Sequence, residues 1–317
     1  MPTTKKLQEL RMTRGLLMPK TACMNMRPSR RRPGRPVGAA DSSPPASAMP
    51  SRGRGRASSD RGSDRGPDRA AERGRAEVAP RGTCWLYGTH AVMAALSNPH
   101  RHLRQLLTTA EAQAALEERM GRALPIQPQR VDRARIDSIC GRDAVHQGIA
   151  LLADLLDTPA LEDIVERPGP VLLLDQVTDP RNIGAILRSA AAFGAAAVIV
   201  QDRNAPEETG ALAKAASGAL EVVPLVRVVN LSRTIDALKS HGMWAVGLDA
   251  GGGILDGASF RQRRVALVLG AEGAGLRRLT REHCDEIAGL AMSGDMESLN
   301  VSNAAAVALY EMSRPRG

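Results

Sequence analysis

Aromatic residues make up only 2% of this 317-residue chain. Proteins that hold single-stranded RNA by stacking bases on exposed rings need more of them, so a stacking platform of the RRM kind is excluded. Cysteine is also scarce. Cys23, Cys84, Cys140 and Cys284 stand far apart with no CxxC spacing. That excludes a disulfide scaffold, gives no sign of a metal site, and predicts thiols kept reduced in the cytoplasm. Long apolar stretches are missing too. The longest uncharged one, residues 190–200, is far short of the roughly 18–20 residues that span a bilayer. The chain does not open on a secretory apolar segment, so no membrane partner is expected.

What is abundant is positive charge, and it is concentrated. The formal net charge is +9. Residues 1–80 hold 18 Lys+Arg against 7 Asp+Glu, while the remaining 237 residues hold 25 against 27. The first 80 residues read as a disordered basic tail, with Arg-Gly-Arg-Gly-Arg at Arg52 to Arg56 and too few large apolar side chains to offset the entropy of ordering. Three readings fit it: a loose electrostatic hold on RNA phosphates, a dispensable solubilising tail, or a segment from a start codon placed too early. Its Arg-rich opening also imitates an organelle transit peptide.

Order is expected from near Trp85. Residues 84–154 read as a small α/β unit, with a turn into a helix at Tyr87-Gly-Thr-His90, strands at 103–109, 126–128 and 149–153, and helices at 111–120 and 131–140. A Pro-containing linker follows at 155–170. Residues 171–314 then alternate apolar runs (171–175, 197–201, 222–226, 244–249, 265–270, 287–292) with helical stretches (180–193, 207–219, 231–241, 276–284) and end on a helix over 298–312. Buried apolar strands between helices imply an α/β domain with a parallel sheet.

Three motifs stand where such a sheet gathers ligands, beyond the carboxyl ends of its strands. The first runs from Asp175 to Ala190. Asp179-Pro180 supplies a cap and an N1 proline. Ile183, Ile186, Leu187 and Ala190 form the core stripe. Asn182 falls in the first turn, and Arg188 lies off the stripe. The second is Gly270-Ala-Glu272-Gly273-Ala-Gly275 after a strand. Its glycines let backbone approach a ligand, but the GxxGxG spacing is neither a dinucleotide fingerprint nor a P-loop. The third, Leu290-Ala-Met292 through Ser298-Leu299-Asn300-Val-Ser302, turns a strand into the final helix, with Ser298 at the expected cap. Each alone also reads as an ordinary capped helix or strand-to-helix turn.

Together, in this order, they resemble the SpoU/TrmH family of RNA ribose 2′-O-methyltransferases, of the SPOUT class. The family pattern N-x-G-A-x-x-R, G-x-E-G-x-G and S-L-N-V-S is intact at Asn182–Arg188, Gly270–Gly275 and Ser298–Ser302. Tyr87-Gly-x-His-Ala-Val, Ala144-Val-His-Gln-Gly-Ile149 and Arg278-Leu-Thr-Arg-Glu-His-Cys-Asp285 are similar to its RlmB branch, which modifies a guanosine of 23S ribosomal RNA. The resemblance covers residues 85–313. It implies a trefoil-knotted domain, S-adenosylmethionine as cofactor, a homodimer whose site draws on both chains, 23S rRNA as substrate, and an RNA-binding role for residues 84–154. By motif match Gly270, Gly273, Leu290, Met292 and Leu299 are cofactor contacts. Arg188 is the central catalytic residue, with Asn182, Glu272, Ser298 and Asn300 beside it. Where the family has Ile-Pro-Met, this chain has Leu290-Ala-Met292, losing a fixed φ but no reactive group.

A guanidinium stays protonated, so Arg188 is expected to clamp the phosphate of the target nucleotide rather than act as a base. His90 and His146 read as RNA contacts or as structural residues, and His283 as packing. A tRNA substrate and a non-catalytic ribosome-assembly factor are the competing functions. Retention of Asn182, Arg188, Glu272, Ser298 and Asn300 together favours the enzyme.

Overall fold

The computed structural model of the chain describes residues 78–260, 262–294 and 298–314. The basic tail expected over 1–80 lies outside them except for its last three residues.

The first part is an α/β unit of β1 (Thr83–Tyr87), α1 (Thr89–Ser97), β2 (Leu103–Thr108), α2 (Ala110–Met120), β3 (Pro128–Arg130), α3 (Arg133–Cys140) and β4 (Ile149–Asp154). Its sheet order is β1-β4-β2-β3. Strand β4 is antiparallel to both neighbours and sets Leu151 opposite Leu86 and Leu106. Strand β1 exceeds the sequence expectation, which starts order with a turn near Trp85. Its run Cys84-Trp-Leu86 is buried on both faces and shows no polar alternation.

Helix α4 (Leu161–Glu166) lies inside the expected linker. Its Ile164 and Val165 are buried, so the linker is partly core. Then follow β5 (Val171–Leu174), α5 (Pro180–Ala192), β6 (Ala197–Gln201), α6 (Gly210–Ala216), β7 (Leu225–Val228), α7 (Leu231–Ser240), β8 (Met243–Ile254), β9 (Arg264–Leu269), α8 (Arg278–His283), β10 (Glu286–Gly289) and α9 (Val301–Ser313). The sheet order is β10-β8-β9-β5-β6-β7. Every pairing in it is parallel.

The unbroken apolar runs have a physical cause. Val171, Leu173, Ala197, Ile199, Ala266 and Val268 pack on one face, with α4 and α7. Leu172, Leu174, Val198, Val200, Leu267 and Leu269 pack on the other, with α5, α6, α9 and residues of the small unit. Each strand is thus buried on both sides. Helix α5 buries Ile183, Ile186, Leu187 and Ala190, each of the larger three contributing about 1.5–3 kcal/mol of burial.

Two strands depart from expectation. The strand expected at 222–226 begins only at Leu225, because Pro224 has no N–H to give a ladder. The Pro224 carbonyl still accepts from Val198 N at 3.0 Å. Conversely, β8 runs on to Ile254, past its expected end at Asp249. Its register with β10 jumps from Gly247↔Ile287 to Gly253↔Ala288. Gly252 allows this close approach: a Cβ there would stand 2.4 Å from the Ile287 carbonyl oxygen. Asp249 and Ala250 are thereby left out of the β10 ladder.

Candidate active site

The carboxyl ends of β8, β9 and β10 enclose a cleft of about 350 Å³. Gly270, Gly273, Leu290, Met292 and Leu299 all line it, with Glu272, Ser298 and Asp249. The five residues expected to touch a cofactor therefore share one cavity. On the side of the glycine loop its wall is largely backbone. A Cβ on Gly270 would stand 2.2 Å from the Gly275 carbonyl carbon, and Gly273 and Gly275 hold φ of 78° and 65°, which favours glycine.

Three of the expected catalytic residues meet at the cleft. Asn182 donates from Nδ2 to Glu272 Oε1 at 3.0 Å. Asn300 donates from Nδ2 to the same Oε1 at 2.6 Å and to Asn182 Oδ1 at 3.0 Å. Val301 N also points to Glu272 Oε1, at 3.4 Å. Glu272 is thus fixed through one oxygen. Its Oε2 has no hydrogen bond among the described residues, leaving a carboxylate oxygen open to an incoming hydroxyl. The sequence reading sets Glu272 to orient the ribose or Arg188 but assigns no carboxylate the role of a base; which of its oxygens is held comes only from the hydrogen bonds.

Asn300, not Ser298, caps α9. Its Oδ1 accepts from Ser302 N at 2.9 Å and Asn303 N at 3.4 Å. Ser298 lies two residues before the cap on the cleft wall. Arg188 is exposed, with no ion pair or hydrogen bond among the described residues. It follows Asn182 by six positions, about 9 Å along the helix and on a different face, so the Asn182–Glu272–Asn300 cluster does not include it.

Sequence reasoning missed two carboxylates. Asp175, fully buried at the end of β5, accepts from Arg277 Nε at 2.6 Å and Arg277 N at 3.0 Å. It also donates its own N–H to Leu269 O at 2.8 Å. This pins the far end of the glycine loop to the sheet. The available signal was a carboxylate directly after four buried apolar residues. Asp249, on the cleft wall, pairs with Arg281 at 2.8 Å; it stands where the sequence ends this strand, but the sequence reading gives it no role.

The histidines divide. His146 is buried, accepts from Gly148 N at its Nδ1 (3.0 Å) and faces Asp137 from Nε2 (2.8 Å), which makes it a structural brace. His283 pairs with Asp236 of α7 at 2.7 Å and packs α8. His90 is exposed. Among the described residues no three His, Cys, Asp or Glu side chains are grouped to hold a metal ion. Nor is any helix there long and apolar enough to cross a membrane.

These features define the class: α/β proteins that hold a small ligand beyond the carboxyl ends of a parallel sheet. Comparison with known proteins narrows it. Residues 169–310 match the SpoU rRNA Methylase family, and residues 85–159 match the model for RNA 2′-O ribose methyltransferase substrate binding. The chain is 43% identical over 246 residues to 23S rRNA (guanosine-2′-O-)-methyltransferase RlmB of Yersinia pestis, covering 73% of this chain and 97% of that protein. It is 40% identical to the protein of that name from Pseudomonas aeruginosa, covering 73% and 96%. Among solved structures it is similar to the SpoU methyltransferase AviRb from Streptomyces viridochromogenes in complex with AdoMet. That match has a TM-score of 0.61 and 25% identity, and covers 73% of this chain and 89% of that one. The chain belongs to the SpoU rRNA methylase family.

Proposed function

We propose that this protein transfers a methyl group from S-adenosylmethionine to the ribose 2′-oxygen of a guanosine in 23S rRNA. The observation that carries the reading is the Asn182–Glu272–Asn300 cluster set against the glycine-walled cleft. The cleft suits the cofactor: its volume is in the range of small-ligand sites, and no side chain can stand at Gly270. Gly270, Gly273, Leu290, Met292 and Leu299 would hold S-adenosylmethionine, which when bound supplies an electrophilic methyl group on a positively charged sulfur.

The chain's own residues do the rest. Glu272, held through Oε1, offers Oε2 to the ribose hydroxyl and orients its oxygen. Alignment of this kind is worth up to about 7–11 kcal/mol of barrier. Asn182 and Asn300 keep Glu272 in place, and Ser298 borders the substrate side of the cleft. Arg188 clamps the phosphate of the target nucleotide. The hydroxyl proton leaves to that phosphate or to water as the new O–C bond forms and the S–C bond breaks. A knotted topology, a cytoplasmic location and a homodimer complete the proposal. The dimer is supported by α9, which leaves Val307 and Tyr310 exposed at 45% and 52%. Arg188 is then free to serve a site beyond its own cluster.

Mapping ribose methylation on total RNA from cells with and without the gene tests the reading. One guanosine of the large-subunit RNA should lose its mark. A change confined to tRNA, or no change, contradicts it. Arg188→Lys should recover little of the activity lost in Arg188→Ala, because a planar fork is what grips a phosphate.

A further inference from the structure

The body that must bind RNA carries slightly more acid than base, 27 Asp+Glu to 25 Lys+Arg beyond residue 80. Several of its guanidinium groups are already engaged. Arg104 pairs with Asp154, Arg227 with Asp202, Arg277 with Asp175, Arg278 with Glu282 and Arg281 with Asp249. An RNA phosphate gains most from cations that have no acidic partner. Among the described residues Arg181, Arg188 and Lys214 have neither an ion pair nor a hydrogen bond from their side chains, and they sit on two helices in contact.

Gly184 brings α5 and α6 together: a Cβ there would stand 2.5 Å from Ala215 Cβ and 2.6 Å from Leu212 O. Arg181 and Arg188 are seven positions apart, which puts both on one face of α5, about 10 Å from each other along the axis. From α6, Lys214 reaches the small unit. Its Nζ lies 2.8 Å from the point where a Gly88 Cβ would be, and Gln147 Oε1 lies 3.4 Å from the same point. Tyr87 joins the two units. Its ring is 2.4 Å from the Cβ position of Gly210 on α6, and its phenol is near enough to feel the charge of Arg181. A row of unpaired cations therefore runs from the Gly88–His90 turn of the small unit, over α6 and α5, to Arg188.

We propose that Arg181 and Lys214 grip backbone phosphates of the RNA segment that leads from the substrate-binding unit to the target ribose. This rests on the RNA methyltransferase reading and adds the route by which the two parts of the chain share one substrate.

The test uses the full chain and a transcript of 23S rRNA, with affinity measured over a series of KCl concentrations. Arg181→Ala, Lys214→Gln and the double variant are compared with Arg233→Ala, an exposed cation on α7 at the other face of the sheet. The double variant should bind several-fold more weakly at every salt. Its plot of log affinity against log salt should be shallower by about 0.7–0.9 for each cation removed. The KM for RNA should rise by a larger factor than kcat falls, and Arg181→Lys should restore the slope. A slope and KM equal to those of Arg233→Ala overturn the proposal. If the unaltered protein binds S-adenosylmethionine but neither binds nor methylates the transcript, the RNA methyltransferase reading itself fails.

Discussion

Asn300 donates to Glu272 Oε1 at 2.6 Å while its own Oδ1 caps α9. One side chain thus starts the last helix and fixes the carboxylate at the cleft, and the two roles separate by substitution. Asn300→Asp keeps the capping oxygen but removes the N–H donors and sets a second carboxylate against Glu272. Its unfolding midpoint should stay close to the original while methyl transfer falls at least about tenfold, a loss of roughly 1.4 kcal/mol in transition-state stabilisation. Asn300→Ala should lose activity and also about 1 kcal/mol of stability. Full activity in Asn300→Asp would show that Glu272 needs no such anchor.

The glycine loop gives a second test, because its positions are demanding for different reasons. At Gly270 a Cβ would collide with backbone of Gly275, whereas at Gly273 there is open space and only a φ of 78°. Gly270→Ala should abolish S-adenosylmethionine binding in calorimetry. Gly273→Ala should bear only the cost of a left-handed residue, about 1–2 kcal/mol, and still bind. Equal affinity in both would mean that the loop does not form the cofactor wall.

Arg101 is buried at 4% exposure, bonded to Glu208 and 3.3 Å from Glu221 of the methylase part. Arg101→Ala leaves two carboxylates with no cation between them. It should destabilise the fold by about 3–5 kcal/mol in urea unfolding. A loss under about 1 kcal/mol, the range of surface pairs, would contradict this joint between the two parts.

Burial pushes the Cys140 thiol up to about 12, helped by the charge of Asp137, and the Cys284 thiol up to about 11, helped by Asp285. In the unfolded chain such thiols ionise near 9.0. Above that pH the unfolded chain releases protons that the folded one keeps, so stability falls as pH rises from about 9 toward 11. Thermal midpoints should decline over that window, and Cys140→Ser with Cys284→Ser should make the decline shallower, while buried Cys84, whose thiol burial also pushes up, keeps the rest. An unchanged slope in the double variant would assign the effect elsewhere.

The residues show which parts of this were readable in advance. Asp179-Pro180 and the stripe from Ile183 to Ala190 set α5 to within a residue, because cap and periodicity agree there. The cap of α9 reads as Ser298 in the sequence and is Asn300, because both carry capping oxygens and only the hydrogen bonds to Ser302 N and Asn303 N choose between them. Short elements such as β1 and α4 escaped because five or six residues are too few to set a period apart from a turn or linker. That Gly270, Gly273, Leu290, Met292 and Leu299 share one cleft followed from motif positions. The pin between Asp175 and Arg277 and the pairing of Asp249 with Arg281 join residues far apart in the chain, which no local pattern encodes.

The central claim is tested most directly by incubating the purified chain with S-adenosylmethionine labelled in its methyl group and 23S rRNA that carries no modifications. The RNA is then digested and the labelled nucleoside identified and mapped. Label should appear as 2′-O-methylguanosine at a single position and be lost in Arg188→Ala. Label on a base, on another nucleoside or on tRNA alone, or none despite bound cofactor, would contradict the assignment.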